Sequence, residues 1–206
     1  MILLFTLYGC QDNRSPEERY AAAMEEARTT EERTDDIFLG LEFGMRPKAF
    51  FDHCTVLNQQ QKIVEGDGGK MAQLELEGLD DEASLSFAPK FSQPGTDSAR
   101  LFALNFFVRY KAWAPWNKEH HSLPLLRDLT EYFIDEYGEG FVALPHEEFG
   151  RVVTQVTNNR RITLWIEDTE KVYGRFVDLS VAPDDPLALP QLKALPGNLI
   201  DQSKSK

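Results

Sequence analysis

The chain has 206 residues, 42% of them hydrophobic and 14 of them Phe, which suits one ordinary domain or two small halves with a real core and not a disordered chain. No stretch approaches the roughly 20 apolar residues that span a bilayer. A net charge of −12, from 34 acidic and 22 basic residues, repels phosphate backbones and argues against nucleic acid as a partner.

The apolar run Ile2 to Tyr8 ends in Leu7-Tyr8-Gly9-Cys10, and polar chain follows at once. That pattern resembles a bacterial lipobox, in which the signal peptide is cut just before a lipid-bearing cysteine. The resemblance implies that residues 1–9 are a signal remnant and that Cys10 is the mature, palmitate-bearing N-terminus. Several acyl chains hold a protein stably on a membrane, so the expected location is the cell envelope. A signal peptide starts with positive charge, and no Lys or Arg precedes Cys10; the expectation therefore includes a start upstream of Met1. The alternative is a short buried strand over residues 2–8. With Cys10 lipidated, Cys54 has no partner for a disulfide and reads as a small hydrophobe beside His53.

Residues 10–36 are polar and acidic. Ser15-Pro16-Glu17-Glu18 predicts a helix start, with Ser as N-cap and acids on the positive end of the dipole. Its apolar positions, Tyr20, Met24 and Ala27, form a thin stripe, which fits either a solvated stalk or a docked helix. The globular part is expected over residues 37–182. Residues 38–43 alternate as a short strand would. Pro47 then opens a helix with Phe50, Cys54 and Leu57 on one face. Alternating runs follow at 72–77 and around Leu85 and Phe87. In the next strand Phe102, Leu104, Phe106, Val108 and Tyr110 share one face, and the opposite face is also partly apolar, which places it centrally.

A loop rich in Trp and Pro spans residues 111–121. Ser122 reads as the N-cap of a second long helix, with Leu126, Leu129, Phe133 and Tyr137 buried and Gly138 ending it. Strands are predicted again at 141–144, 152–157, 161–166 and 172–179. At Asn158-Asn159 the hydrophobic pattern favours a three-residue loop, setting Val156 against Ile162 and Thr154 against Leu164. The next hairpin then sets Ile166 against Val172 and Ile162 against Phe176. Residues 183–206 hold four of the eleven prolines and read as an extended tail. The predicted class is α+β, two helix-then-antiparallel-strand units, arranged either in tandem or as one continuous antiparallel sheet with both helices on one face.

Three pieces carry a family resemblance: Gly44-Met45 leading into a helix that ends Leu57-Asn58, the Trp113-Ala114-Pro115-Trp116-Asn117 loop, and Asn159-Arg160-Arg161-Ile162 before a strand. Together, over residues 37–180, they resemble uncharacterised lipoproteins of Gram-negative gut anaerobes, which bring no activity with them. Gly44-Met45 and the element order are also similar to small envelope lipoproteins of the BLIP-like fold, which implies a tandem BLIP-like alternative.

No catalytic motif stands out. Nothing matches G-x-S-x-G, H-E-x-x-H or a P-loop, the last even at Gly66-Asp67-Gly68-Gly69-Lys70. His120, His121 and His146 lie in predicted loops, where they suit a metal-dependent enzyme only if the fold brings them together; no metal or cofactor is expected. The best ligand-binding candidates are Trp113, Trp116, Asn117 and Glu119, flat rings beside polar groups that suit a sugar or a protein contact. The expected function is a lipid-anchored, non-enzymatic module that binds an envelope protein or contributes to envelope assembly. A carbohydrate-binding module is the alternative.

Overall fold

The computed structural model describes residues 13–190 other than 67, 68 and 70, so the expectations on Cys10, on residues 1–9 and on the tail beyond Pro190 lie outside the described residues. The described elements are α1 (Pro16–Thr29), α2 (Pro47–Gln59), β1 (Val64–Glu65), β2 (Ala72–Leu76), β3 (Ala83–Phe91), β4 (Leu101–Tyr110), α3 (Ser122–Tyr137), β5 (Val142–His146), β6 (Gly150–Thr157), β7 (Arg160–Ile166) and β8 (Val172–Asp178). The strands form one continuous antiparallel sheet in the order β1-β2-β3-β4-β8-β7-β6-β5. β4 is central, as its two partly apolar faces require.

Both α2 and α3 pack on one face of the sheet. Phe50 and Leu57 of α2 and Leu125, Leu129 and Phe133 of α3 join Leu85, Phe106, Leu164 and Phe176 in the main core. Leu125 takes the buried place expected of Leu126, which is only half-buried, because Leu125, Leu129 and Phe133 repeat every four residues and set the centre of the face; the N-cap is His121. The Ser122 hydroxyl, expected to cap, instead donates to the Asp168 carbonyl at 2.6 Å. Helix α1 is docked on the opposite face over β5 and β6. Its thin stripe is enough because Met24 and Ala27 meet a small cluster of Ala103, Val177 and Leu179, and Tyr20 meets a second core on the same face. Trp165 is the centre of that core, 1% exposed, stacked on Tyr173 and close to Phe149.

Residues 38–43 are not a strand. An isolated bridge, Asp36 to Glu42, closes a tight loop in which Leu39 and Gly40 take positive φ. The apolar residues that suggested a strand are plugs: Ile37, Leu41 and Phe43 are all buried.

The β6–β7 hairpin corrects the expected register. The loop has two residues, Asn158 and Asn159, and Val156 pairs with Arg161 while Gln155 pairs with Ile162. The hydrophobic argument failed because both faces are covered here and the polar side chains have dedicated partners. The Gln155 amide donates to the carbonyls of Gly138 and Glu139 at 2.8 and 2.7 Å, finishing α3. Arg161 is buried against Asp185. Asn159 accepts from the Thr34 N–H and donates to Asp178, which ties the hairpin tip to the chain after α1. The β7–β8 register, with Ile162 against Phe176 and Ile166 against Val172, is as the sequence pattern implies.

Candidate functional site

A cleft of about 360 Å³ opens on the helical face, between α3, the loop at 36–41 and the outer strands β2 and β3. The loop contributes Ile37, Phe38 and Leu41; the strands contribute Leu74, Leu76 and Leu85. Tyr132 and Tyr137 close it from α3, and the exposed carboxylates Asp36 and Glu136 are its charged members.

The loop is held from three sides. The Tyr137 hydroxyl donates to the Ile37 carbonyl at 2.9 Å, and His53 Nε2 donates to the Leu39 carbonyl at 2.7 Å. Arg160 donates to both the carbonyl and the carboxylate of Asp36 and lies 4.9 Å over the Tyr137 ring. Gly40 is needed where it stands: φ is +75° and an added Cβ would press on the His53 ring at 3.3 Å. The cleft is therefore framed by hydrogen-bonded elements and does not depend on a loose flap.

Tyr132 gives the cleft a polar handle. Burial, with Glu136 and Glu77 nearby, pushes its hydroxyl up from the usual tyrosine range, so it stays a neutral donor. That hydroxyl has no partner among the described residues. The turn after β2 passes close to the same ring, with Gly78 at φ +102° and room for no Cβ beyond a 3.2 Å contact with Tyr132. Glu75, Glu77, Asp80, Asp81 and Glu82 cluster along this turn and strand. Lys111 answers two of them, at 2.6 Å to Glu75 and 3.4 Å to Glu82, and His120 sits 3.2 Å from Asp81.

The Trp loop is divided in its roles. The half-buried Trp113 donates its indole N–H to the Thr169 carbonyl at 3.0 Å, and Asn117 donates to the Ala112 carbonyl at 3.1 Å. Both hold the loop's own frame. Trp116, 84% exposed, and Glu119 face solvent. The histidines are likewise dispersed. His121 bonds the Ala114 carbonyl, His146 accepts from the N–H groups of Glu148 and Phe149, and His120 meets the Tyr110 ring edge-on. No group of three metal-ligating side chains comes together among the described residues.

Sequence reasoning passed over the cleft. Leu74 and Leu76 were legible as a buried strand face and Tyr137 as a helix contact, but nothing local joins them to residues 36–41. The one usable signal was the acidic density from Glu75 to Glu82, beside a strand too short to be shielded on its own. Comparison with protein-family models, curated proteins and solved structures found no match to this chain.

Proposed function

We propose that this chain is a non-enzymatic protein-binding module, held at the cell envelope by lipid on Cys10. The lipobox-like Leu7-Tyr8-Gly9-Cys10 supports the anchor. The observation that supports binding is the framed apolar cleft with an unengaged Tyr132 hydroxyl. A pre-formed, mostly apolar pocket with a few placed polar groups is what ligand and anchor sites share. Chemistry would need nucleophile, base and acid to converge there, and the polar groups lining it are two tyrosines and two carboxylates, one of which is paired with Arg160.

Two measurements in the native host test the reading. Labelled palmitate should enter the wild type and not Cys10→Ser. A photo-reactive amino acid in place of Tyr132 should give a discrete protein adduct in the envelope fraction, whereas the same group in place of the exposed Glu17 should not. Adducts at position 132 no stronger than at position 17 would remove the binding role; palmitate missing from both proteins would remove the anchor.

A glycan-binding role has one observation behind it, the exposed Trp116 ring. Glycan binding that Trp116→Ala abolishes would favour it; binding indifferent to that change would end it.

A further inference from the structure

Beside the cleft the sheet has an open edge. Strand β1 opposes only Gln73 and Ala72. Before Val64 the chain leaves the sheet: the Lys62 N–H donates to the Leu57 carbonyl at 3.0 Å, and the Asn58 amide donates to the Ile63 carbonyl. Residues 74–76 of β2 thus have β3 on one side and, among the described residues, no strand on the other.

The direction of the free groups follows from the ladder. Gly66 N–H donates to the Met71 carbonyl at 2.8 Å, so Met71 aims its backbone groups toward β1. In an antiparallel ladder every second residue points the same way. Gln73 therefore meets Val64, and Glu75 presents its N–H and C=O to the open edge. Leu74 and Leu76, on either side, belong to the cleft wall. The other edge of the sheet is different, for β5 carries Pro145, which lacks an N–H, and α1 lies against it.

We propose that this edge binds an extended, basic segment of a partner protein by strand addition. The partner's backbone pairs with Glu75, one apolar side chain enters the cleft over Leu74 and Leu76 toward Tyr132, and flanking Lys or Arg meets the acidic turn. Strand addition draws affinity from main-chain hydrogen bonds and specificity from pockets for alternate side chains, and both are present side by side. The charge of the segment follows from residues 75–82, which hold five acids and no base; Lys111 meets Glu75 and Glu82 and His120 meets Asp81, which leaves Glu77 and Asp80, with Glu136 at the cleft and a net charge of −12 on the whole chain. This inference rests on the protein-binding reading above and names its partner.

A displayed-peptide library selected on the full chain provides the test. Enriched peptides should alternate apolar and polar residues beside Lys or Arg, and their binding should weaken about tenfold or more as salt rises to screen the turn. Glu75→Pro removes the edge N–H and should weaken the best peptide about tenfold; Glu75→Gln, which removes only charge, should weaken it far less. Hydrogen exchange at the Glu75 amide should slow when the peptide binds. Full affinity in Glu75→Pro, with its fold intact by circular dichroism, overturns the proposal. Peptides that lose binding on Trp116→Ala instead overturn it while leaving a protein-binding function standing. An empty selection overturns it too, and the cross-link at position 132 then decides whether the broader reading survives.

Discussion

The chain that follows β8, residues 179–190, forms a strap across the sheet, and it depends on Asp185. Asp185 accepts from Arg175 through both oxygens, at 3.1 Å from Nε and 2.7 Å from Nη2, and from Arg161 Nη2 at 2.9 Å. The side chains of Arg161, Arg175 and Asp185 are 2%, 5% and 9% exposed. Asp185→Ala removes three charge-assisted hydrogen bonds and leaves two guanidinium groups buried. Breaking a buried pair in this way costs about 3–5 kcal/mol. The lower end applies, because Arg161 keeps the Pro186 carbonyl and Arg175 keeps the Asn105 side chain. The strap can also lift and readmit water, which limits the loss to its own docking energy. The expected cost is about 3 kcal/mol, seen as a fall of about 1–2 M in the urea midpoint. Asp185→Asn should lose about half of this. A triple variant, Asp185→Ala with Arg161→Met and Arg175→Met, should recover much of it, since apolar replacement of a buried ion pair is often neutral or better. An Asp185→Ala midpoint within a few tenths of a molar of wild type would falsify the reasoning and mean that the arginines are hydrated in solution.

Gly174 faces Phe106 across β4 and β8 so closely that a Cβ would overlap the ring. Gly174→Ala should cost about 1–3 kcal/mol by overpacking, and Phe106→Leu in the same chain should give part of it back in the urea midpoint. Tyr110, Tyr132, Tyr137 and Tyr173 are all pushed up from the usual 10.0, chiefly by burial, with Asp128 accepting from Tyr110 and Asp168 from Tyr173. The folded state keeps these protons where the unfolded chain releases them, so stability is whole below pH 10 and falls as pH rises above it. Ultraviolet titration should show tyrosinate appearing together with loss of the fold; four tyrosines ionising at ordinary pH in a folded protein would contradict this. Trp116→Ala should change stability by less than about 0.5 kcal/mol and Trp165→Ala by about 3–5 kcal/mol, a contrast that thermal or urea unfolding reads directly.

What was legible in the sequence was what one face and one period could write. The strand from Leu104 to Tyr110 and the helix of Phe50 and Leu57 needed only alternation or a helical stripe, and they stand where that pattern puts them; Phe102 does not share that face, because a bulge at Lys90 and Phe91 shifts the register and Leu101 joins the main core in its place. The Asn159-Arg160-Arg161 run shows where such reasoning stops. Three polar residues in a row argue for a loop or a wet face, yet all three are buried. Their partners, Asp178, Asp36 and Asp185, lie 19, 124 and 24 residues away, and no local window contains both ends. The same is true of the cleft. Its walls come from residues 36–41, from β2 and β3 and from α3, so its existence depends on the sheet order and not on any one segment.

The sheet order also explains why the two halves differ. Each half runs helix then four strands, α2 with β1 to β4 and α3 with β5 to β8, and the last strands of the two, β4 and β8, lie antiparallel at the centre. Equal halves would have equal edges and equal faces. In the second half α1 covers β5 and β6, Asp185 and the strap cover β7 and β8, and Pro145 sits on the edge strand. In the first half β1 shrinks to two residues, and the far face of β2 and β3 is polar, with Gln73 and Glu75 beside the buried Ser84 and Ser86. A bare, uncharged apolar edge invites aggregation; here the edge carries Glu75 and the turn beyond it four further acids. Those acids make the edge a poor template for pairing with a second copy of the same acidic chain, which is how a sheet with one short edge strand avoids edge-to-edge association.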